Sequence, residues 1–186
     1  MPLLIAAATA FVLLHLLVSG TRLRDALTGT IGVGPYMGLF SLASLGLIVW
    51  LSMSYGPARA DHLNTVWWTA TPTTKIIQLA LTFIAFLLVV PGLTTPNPTS
   101  VRQEGALANP GVVRGMLRIT RHPFLWGVAV WAAGHLLVNG DLASLVLFGS
   151  MLALASESAR WAPPGTRSPP RPRIFLSPPS RPAVNV

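Results

Sequence analysis

Five apolar stretches, none with a charged residue in its interior, constrain this chain more than any other feature. They lie at about 2–19, 36–55 ("YMGLFSLASLGLIVWLSMSY"), 75–93, 122–140 and 141–156. Crossing the hydrocarbon core of a bilayer takes roughly 20 apolar residues as a helix. Strands with open edges cannot do it, because lipid offers their backbone groups no partners. The composition agrees: 52% of the 186 residues are hydrophobic and only 10% are charged, against about 25% charged in soluble domains. The expected fold is all-α, a polytopic membrane helix bundle of about five transmembrane helices over residues 1–156. Residues 157–186 then form a Pro/Arg/Ser-rich tail. From Ala162 onward, eight of twenty-five residues are proline, which excludes a packed core or a helix and predicts disorder. That tail also reads like a GC-rich stretch translated out of frame.

The net charge of +8 invites a nucleic-acid reading, but the basic residues form no stripe with interleaved aromatics. They fall between the apolar runs. Arg22 and Arg24, then Arg102, Arg114, Arg118 and Arg121, then five arginines of the tail lie on one side of the expected membrane; Arg59 and Lys75 lie on the other. The positive-inside rule puts the first side in the cytoplasm and the N-terminus in the periplasm of a bacterial inner membrane. The first stretch lacks a basic leader, so it reads as a retained span rather than a signal peptide. Segment 110–121, "PGVVRGMLRITR", reads as a short helix in the cytoplasmic interface. Asn139, Gly140 and Asp141 read as a tight outer turn, with Asp141 capping the fifth span. Small residues at Ala43, Ser44, Gly46, Gly127 and 132–134 suit close contact between helices. There is no cysteine, which removes disulfides, thiolate metal sites and thiol catalysis.

Ionisable groups inside spans are expensive and therefore candidates for function. His62, beside Asp61 in an outer loop, reads as solvated surface. His15, His122 and His135 lie in or at spans, and each either serves a site or binds the bundle through a carbonyl or a neighbouring helix. Depth selects among pairs. "HLLVSG" (15–20) and "HLLVNG" (135–140) look like two halves of one site, but their helices run in opposite directions. At 1.5 Å per residue the two rings differ in depth by on the order of 14 Å, whereas His15 and His122 differ by about 5 Å. His15 with His122 is thus the candidate bis-histidine pair for an iron, and His135 the weaker metal candidate. Arg121, next to His122 at a helix start, suits a phosphate, a carboxylate or a haem propionate. No Walker loop, zinc-protease motif or nucleophile elbow is present.

The stretches "GVGPYMGLFSLASLGLIVW" (32–50), "NPTSVRQEGAL" (97–107) and "GMLRITRHPFLWGVAVWAAGHLLVNGDLASLVLFGS" (115–150) resemble the NnrU family of bacterial membrane proteins. The resemblance covers roughly residues 1–156. It implies a multi-pass inner-membrane protein linked with denitrification, an accessory factor for nitrite and nitric oxide reductases with partners in that machinery. The domain also looks related to zeta-carotene isomerase, a haem b enzyme, whose pattern matches at His15, at His122 in "RHP" and at His135. That likeness implies haem b as a cofactor and a polyene cis-trans isomerase as the alternative activity. A membrane methyltransferase of the isoprenylcysteine type also uses an "RHP" segment, but it expects paired glutamates downstream, and only Glu157 follows here. The Pro/Arg/Ser tail departs from the basic helical end usual in the family.

Overall fold

The structure is a computed structural model that describes residues 1–19, 21–94, 120 and 122–160. Its elements are α1 (Pro2–Leu13), a π-helical turn (Leu14–Ser19), α2 (Arg22–Ile31), α3 (Val33–Arg59), β1 (Val66–Thr69), α4 (Pro72–Thr94), α5 (Pro123–Val138), β2 (Asn139–Asp141) and α6 (Leu142–Arg160). The protein is thus mostly helical. Among the described residues two helices, α3 and α4, are long and apolar enough to cross a membrane. The pair α1–α2, bent by 77°, makes a third if it counts as one span, and α5 and α6 are shorter apolar helices.

Each expected span maps onto a helix, with shifted ends. The second runs 33–59 and the third 72–94, beyond the 36–55 and 75–93 expected. The fifth continues to Arg160, four residues past the expected end. The first keeps α-helical form only to Leu13 and then loosens into the π-helical turn that carries His15. The segment 20–35, expected as a loop, contains α2. Gly32 makes the junction between α2 and α3 with φ +83° and ψ 158°, a backbone state open essentially to glycine alone. One helix therefore follows the other with no intervening loop.

Small side chains set the packing. Leu4, Ala7 and Ala8 of α1 meet Leu51 and Ala58 of α3 and Ala143 of α6 in a buried cluster. α5 packs on both α4 and α6, its contact with α4 being the most extensive in the molecule. Gly127 and Gly134, seven residues apart and so on one helical face, let α4 approach closely. A Cβ on Gly127 would lie 2.6 Å from Val89 Cγ2 and 3.0 Å from the Ala85 carbonyl oxygen. One on Gly134 would lie 3.3 Å from Leu81 Cβ. Gly46 of α3 faces open space instead. The outward faces of α3 and α4 are apolar, with Leu39, Leu42, Leu45, Ile76, Leu79, Phe83 and Phe86 exposed; a lipid bilayer is the medium that suits them.

One end of the bundle is closed by contacts distant in sequence, and here the expected turn at 139–141 is corrected. These residues are extended and pair antiparallel with β1, Trp68 opposite Gly140 and Thr69 opposite Asn139, with a bulge between Val66 and Trp68. The fold therefore includes a two-stranded sheet within the expected all-α architecture. The reason lies in the helix ends. The first backbone N–H groups of a helix need acceptors, and α6 takes two of them from residues distant in sequence and one from its own preceding residue. Leu142 N–H donates to the Thr65 carbonyl at 3.0 Å, Ala143 N–H to Asn64 Oδ1 at 2.9 Å and Ser144 N–H to Asp141 Oδ1 at 3.0 Å. At the end of α5, Trp68 Nε1 donates to the Leu136 carbonyl at 3.1 Å and Asn139 Nδ2 to that of His135 at 3.0 Å. Residues 59–69 thus form a lid that caps two helices.

Candidate functional site

Three of the four candidate site residues are described; Arg121 lies outside the described residues, as do the rest of the expected interfacial segment 110–121 apart from Thr120 and the tail from 161. His15 sits half-buried in the π-helical turn. Single-turn π segments recur at functional sites, because they turn the following side chains away from their α-helical direction. Its Nδ1 is 2.8 Å from the Phe11 carbonyl oxygen, four residues back. A carbonyl only accepts, so Nδ1 carries the proton and Nε2 of the neutral ring carries the lone pair. Ser44 Oγ of α3 lies 3.5 Å from that Nε2 and is placed to donate to it weakly. The rings of Phe11 and Phe40 flank the imidazole at 4.3 and 5.3 Å between centroids, and Tyr36 stacks beyond Phe40.

His122 is the N-cap residue of α5, directly before Pro123 at the first helical position. Proline loses nothing there, since the first N–H of a helix has no internal partner. The His122 carbonyl accepts the first helical bond from Trp126 N–H at 3.1 Å, and its backbone N–H donates to Thr120 Oγ1 at 3.2 Å. Chain direction separates the candidates. α1 starts, and α5 ends, at the end closed by the sheet, because Met1 N pairs with Asp61 at 2.6 Å and β2 follows α5 directly. His135 therefore sits one turn from that end, and His122, 13 residues earlier in the chain, lies about 20 Å away along the helix. His15 is also remote from the closed end, at the far part of the first helical run.

His135 repeats the local chemistry of His15 in other surroundings. Its Nδ1 donates to the Trp131 carbonyl at 2.9 Å. Its ring stacks on Phe148 at 4.7 Å and leans on Trp131 at 4.6 Å. His62 is a surface residue, its side chain 89% exposed and 3.3 Å from Asp61. Among the described residues no cluster of three or more metal-ligating side chains occurs.

The expected cap Asp141 belongs to a polar network between α3 and the start of α6, whose other members, Tyr55, Arg59 and Ser144, sequence reading did not single out. Asp141 is 3% exposed and Ser144 is fully buried. Ser144 Oγ donates to Asp141 Oδ2 at 2.7 Å. That spends its proton, so the Tyr55 hydroxyl, 2.8 Å away, must be the donor to Ser144. Arg59 Nε stands 3.7 Å from the same carboxylate oxygen. Burial pushes the Asp141 carboxyl up, but the Ser144 hydroxyl and N–H, the Arg59 guanidinium and Asn64 together outweigh it and hold the group below its usual 3.8. Beyond the expected cap at Asp141, the polar residues of "SYG" and "LAS" were the hint, and neither stretch says that the other is its partner.

With the geometry in place, comparison with known families decides the kinship. Residues 3–167 match the NnrU protein family, most of the 186-residue chain. The chain belongs to the NnrU family. The NnrU match runs past the end of α6 at Arg160 and into the Pro/Arg/Ser-rich segment. No curated protein matches the chain significantly, and no solved structure does.

Proposed function

We propose that this NnrU protein is a multi-pass inner-membrane accessory factor of nitrogen-oxide reduction that holds haem b between His15 and His122. The observation that carries the role is family membership over residues 3–167, since the family name links it to nitrogen-oxide reduction. The apolar helices support residence in a bilayer. The arginine distribution supports five crossings with a periplasmic N-terminus and a cytoplasmic C-terminus.

The donor chemistry of His15 fits haem iron. Histidines that bind metal usually give their second ring N–H to a carbonyl or carboxylate, which fixes the tautomer and the ring plane. His15 makes that bond to Phe11, which leaves the lone pair of the neutral ring on Nε2, with Ser44 Oγ 3.5 Å from it. Phe11 and Phe40 supply flat apolar surface beside the ring. His122 would supply the second ligand and Arg121 a cation for a propionate. When bound, haem b would supply a one-electron redox centre within the membrane. The protein's share is to hold the two imidazoles, exclude water from the His15 side with aromatic rings, and pair the propionate charge at the start of α5.

The role is tested in a denitrifying host from which the gene has been deleted. The expected outcome is slowed nitrite and nitric oxide consumption, restored by the full chain and not by a His15→Ala/His122→Ala double variant of equal abundance. Normal consumption of both in the deletion strain would remove the proposed role.

A further inference from the structure

We propose that α2 is an interfacial anchor that lies along the membrane surface and binds anionic lipid headgroups. Leu23, Leu27 and Ile31 recur every four residues, so at 100° per residue they span an arc of about 80°. Arg22, Asp25 and Gly29 lie on the opposite side by the same angles, and Arg24 and Thr28 on one flank. No residue of α2 is buried; Leu23 is 47% exposed and Ile31 40% exposed, with Leu27 between them half-buried. A helix whose apolar stripe is left largely uncovered by protein is stable beside an apolar medium. The molecule supplies the position for one. α2 follows the first helical run after a 77° bend, so if that run crosses the bilayer, α2 turns toward the membrane plane. Gly32 then turns the chain directly into α3, a helix long and apolar enough to span. α2 is thereby tethered at both ends to membrane helices, at the end of the bundle away from the sheet.

Two further features fit a lipid surface. The hydroxyls of Thr28 and Thr30 bond back to the Asp25 and Ala26 carbonyls at 3.1 and 2.9 Å, which lowers the polarity of the helix flanks. The first turn carries Arg22 and Arg24 against the single acid Asp25. Cations at the edge of an interfacial helix are drawn to acidic headgroups, and their stems extend along the apolar boundary. The arginine count that assigns this end to the cytoplasm also assigns it to the leaflet where such pairing orients a chain.

The chain has no cysteine, so single-cysteine variants of the full protein in vesicles carry one probe each. Spin labels at Leu23→Cys, Leu27→Cys and Ile31→Cys should be reached by oxygen and shielded from a water-soluble nickel chelate. Labels at Asp25→Cys, Thr28→Cys and Gly29→Cys should show the reverse. A polarity-sensitive dye at Leu27→Cys should shift to the blue when phosphatidylglycerol is added to phosphatidylcholine vesicles, and Arg22→Gln/Arg24→Gln should abolish that increment. Nickel access at all six positions would show a solvated helix and overturn the proposal. Oxygen access at all six would show a re-entrant or spanning segment and overturn it equally. A dye shift that ignores phosphatidylglycerol would refute the headgroup assignment.

Discussion

His15 and His135 each close a ring N–H onto the carbonyl four residues back, at 2.8 and 2.9 Å. The surroundings then differ: Ser44 and Phe40 of α3 for one, Phe148 of α6 for the other. Asp141 is the residue where charge and fold are most tightly joined. Its folded pKa lies below the unfolded value, so the ionised form stabilises the fold. That contribution is complete above about pH 4, the range of an unfolded carboxyl, and is lost as pH falls through the lower folded value. Acid titration of the detergent-solubilised protein should show this loss, and Asp141→Ala should abolish that part of the pH dependence. The same variant removes a helix cap and should cost about 0.5–2 kcal/mol at neutral pH, read as a lower thermal midpoint. Gly32→Ala forces a Cβ into a backbone region reserved for glycine, with an expected cost of about 1–3 kcal/mol by the same assay.

At the level of elements, sequence patterning located the helices and missed what joins them. Apolar length marks a span without reference to neighbours, which is why 36–55 and 75–93 fall inside α3 and α4. The capping role of Asp141 was legible because Asp and Ser144 are three residues apart. Asn64 and Thr65, which cap the same helix end from 79 and 77 positions away, leave no local trace, and neither does the pairing of β1 with β2. The helix α2 was passed over because its apolar residues alternate with arginine and threonine in a stretch too short for a span. Gly127 and Gly134 were legible as packing residues, while Gly46 had the same composition and no partner. Gly127→Leu should overpack the contact of α4 with α5 and destabilise the protein by about 1–3 kcal/mol. Gly46→Leu should be nearly neutral in the same thermal assay. Equal effects would show that α4 and α5 do not meet as described. Trp68→Ala should loosen the closed end, since the indole both bonds the Leu136 carbonyl and covers Gly140.

Across the whole molecule, one end is built from the N-terminus, residues 59–71 and the β2 strand, and the other from α2 and the starts of α3 and α5. This alternation is what a bundle of up-and-down crossings requires, and it was legible from the order of apolar runs. On the sidedness proposed from arginine placement, an impermeant maleimide in intact cells should label His62→Cys and leave Thr30→Cys unlabelled. The proposed pairing of His15 with His122 rests on depth arithmetic. The Phe11 carbonyl, Ser44 and the two phenylalanine rings around His15 have no trace in the spelling "HLLVSG". The central claim is that this NnrU protein holds haem between His15 and His122, and the optical spectrum of the purified, haem-reconstituted protein tests it directly. The account predicts a reduced Soret band with sharp alpha and beta bands, lost in His15→Ala and in His122→Ala and retained in His135→Ala. A colourless reconstituted protein, or a spectrum unchanged in both of the first two variants, would contradict it.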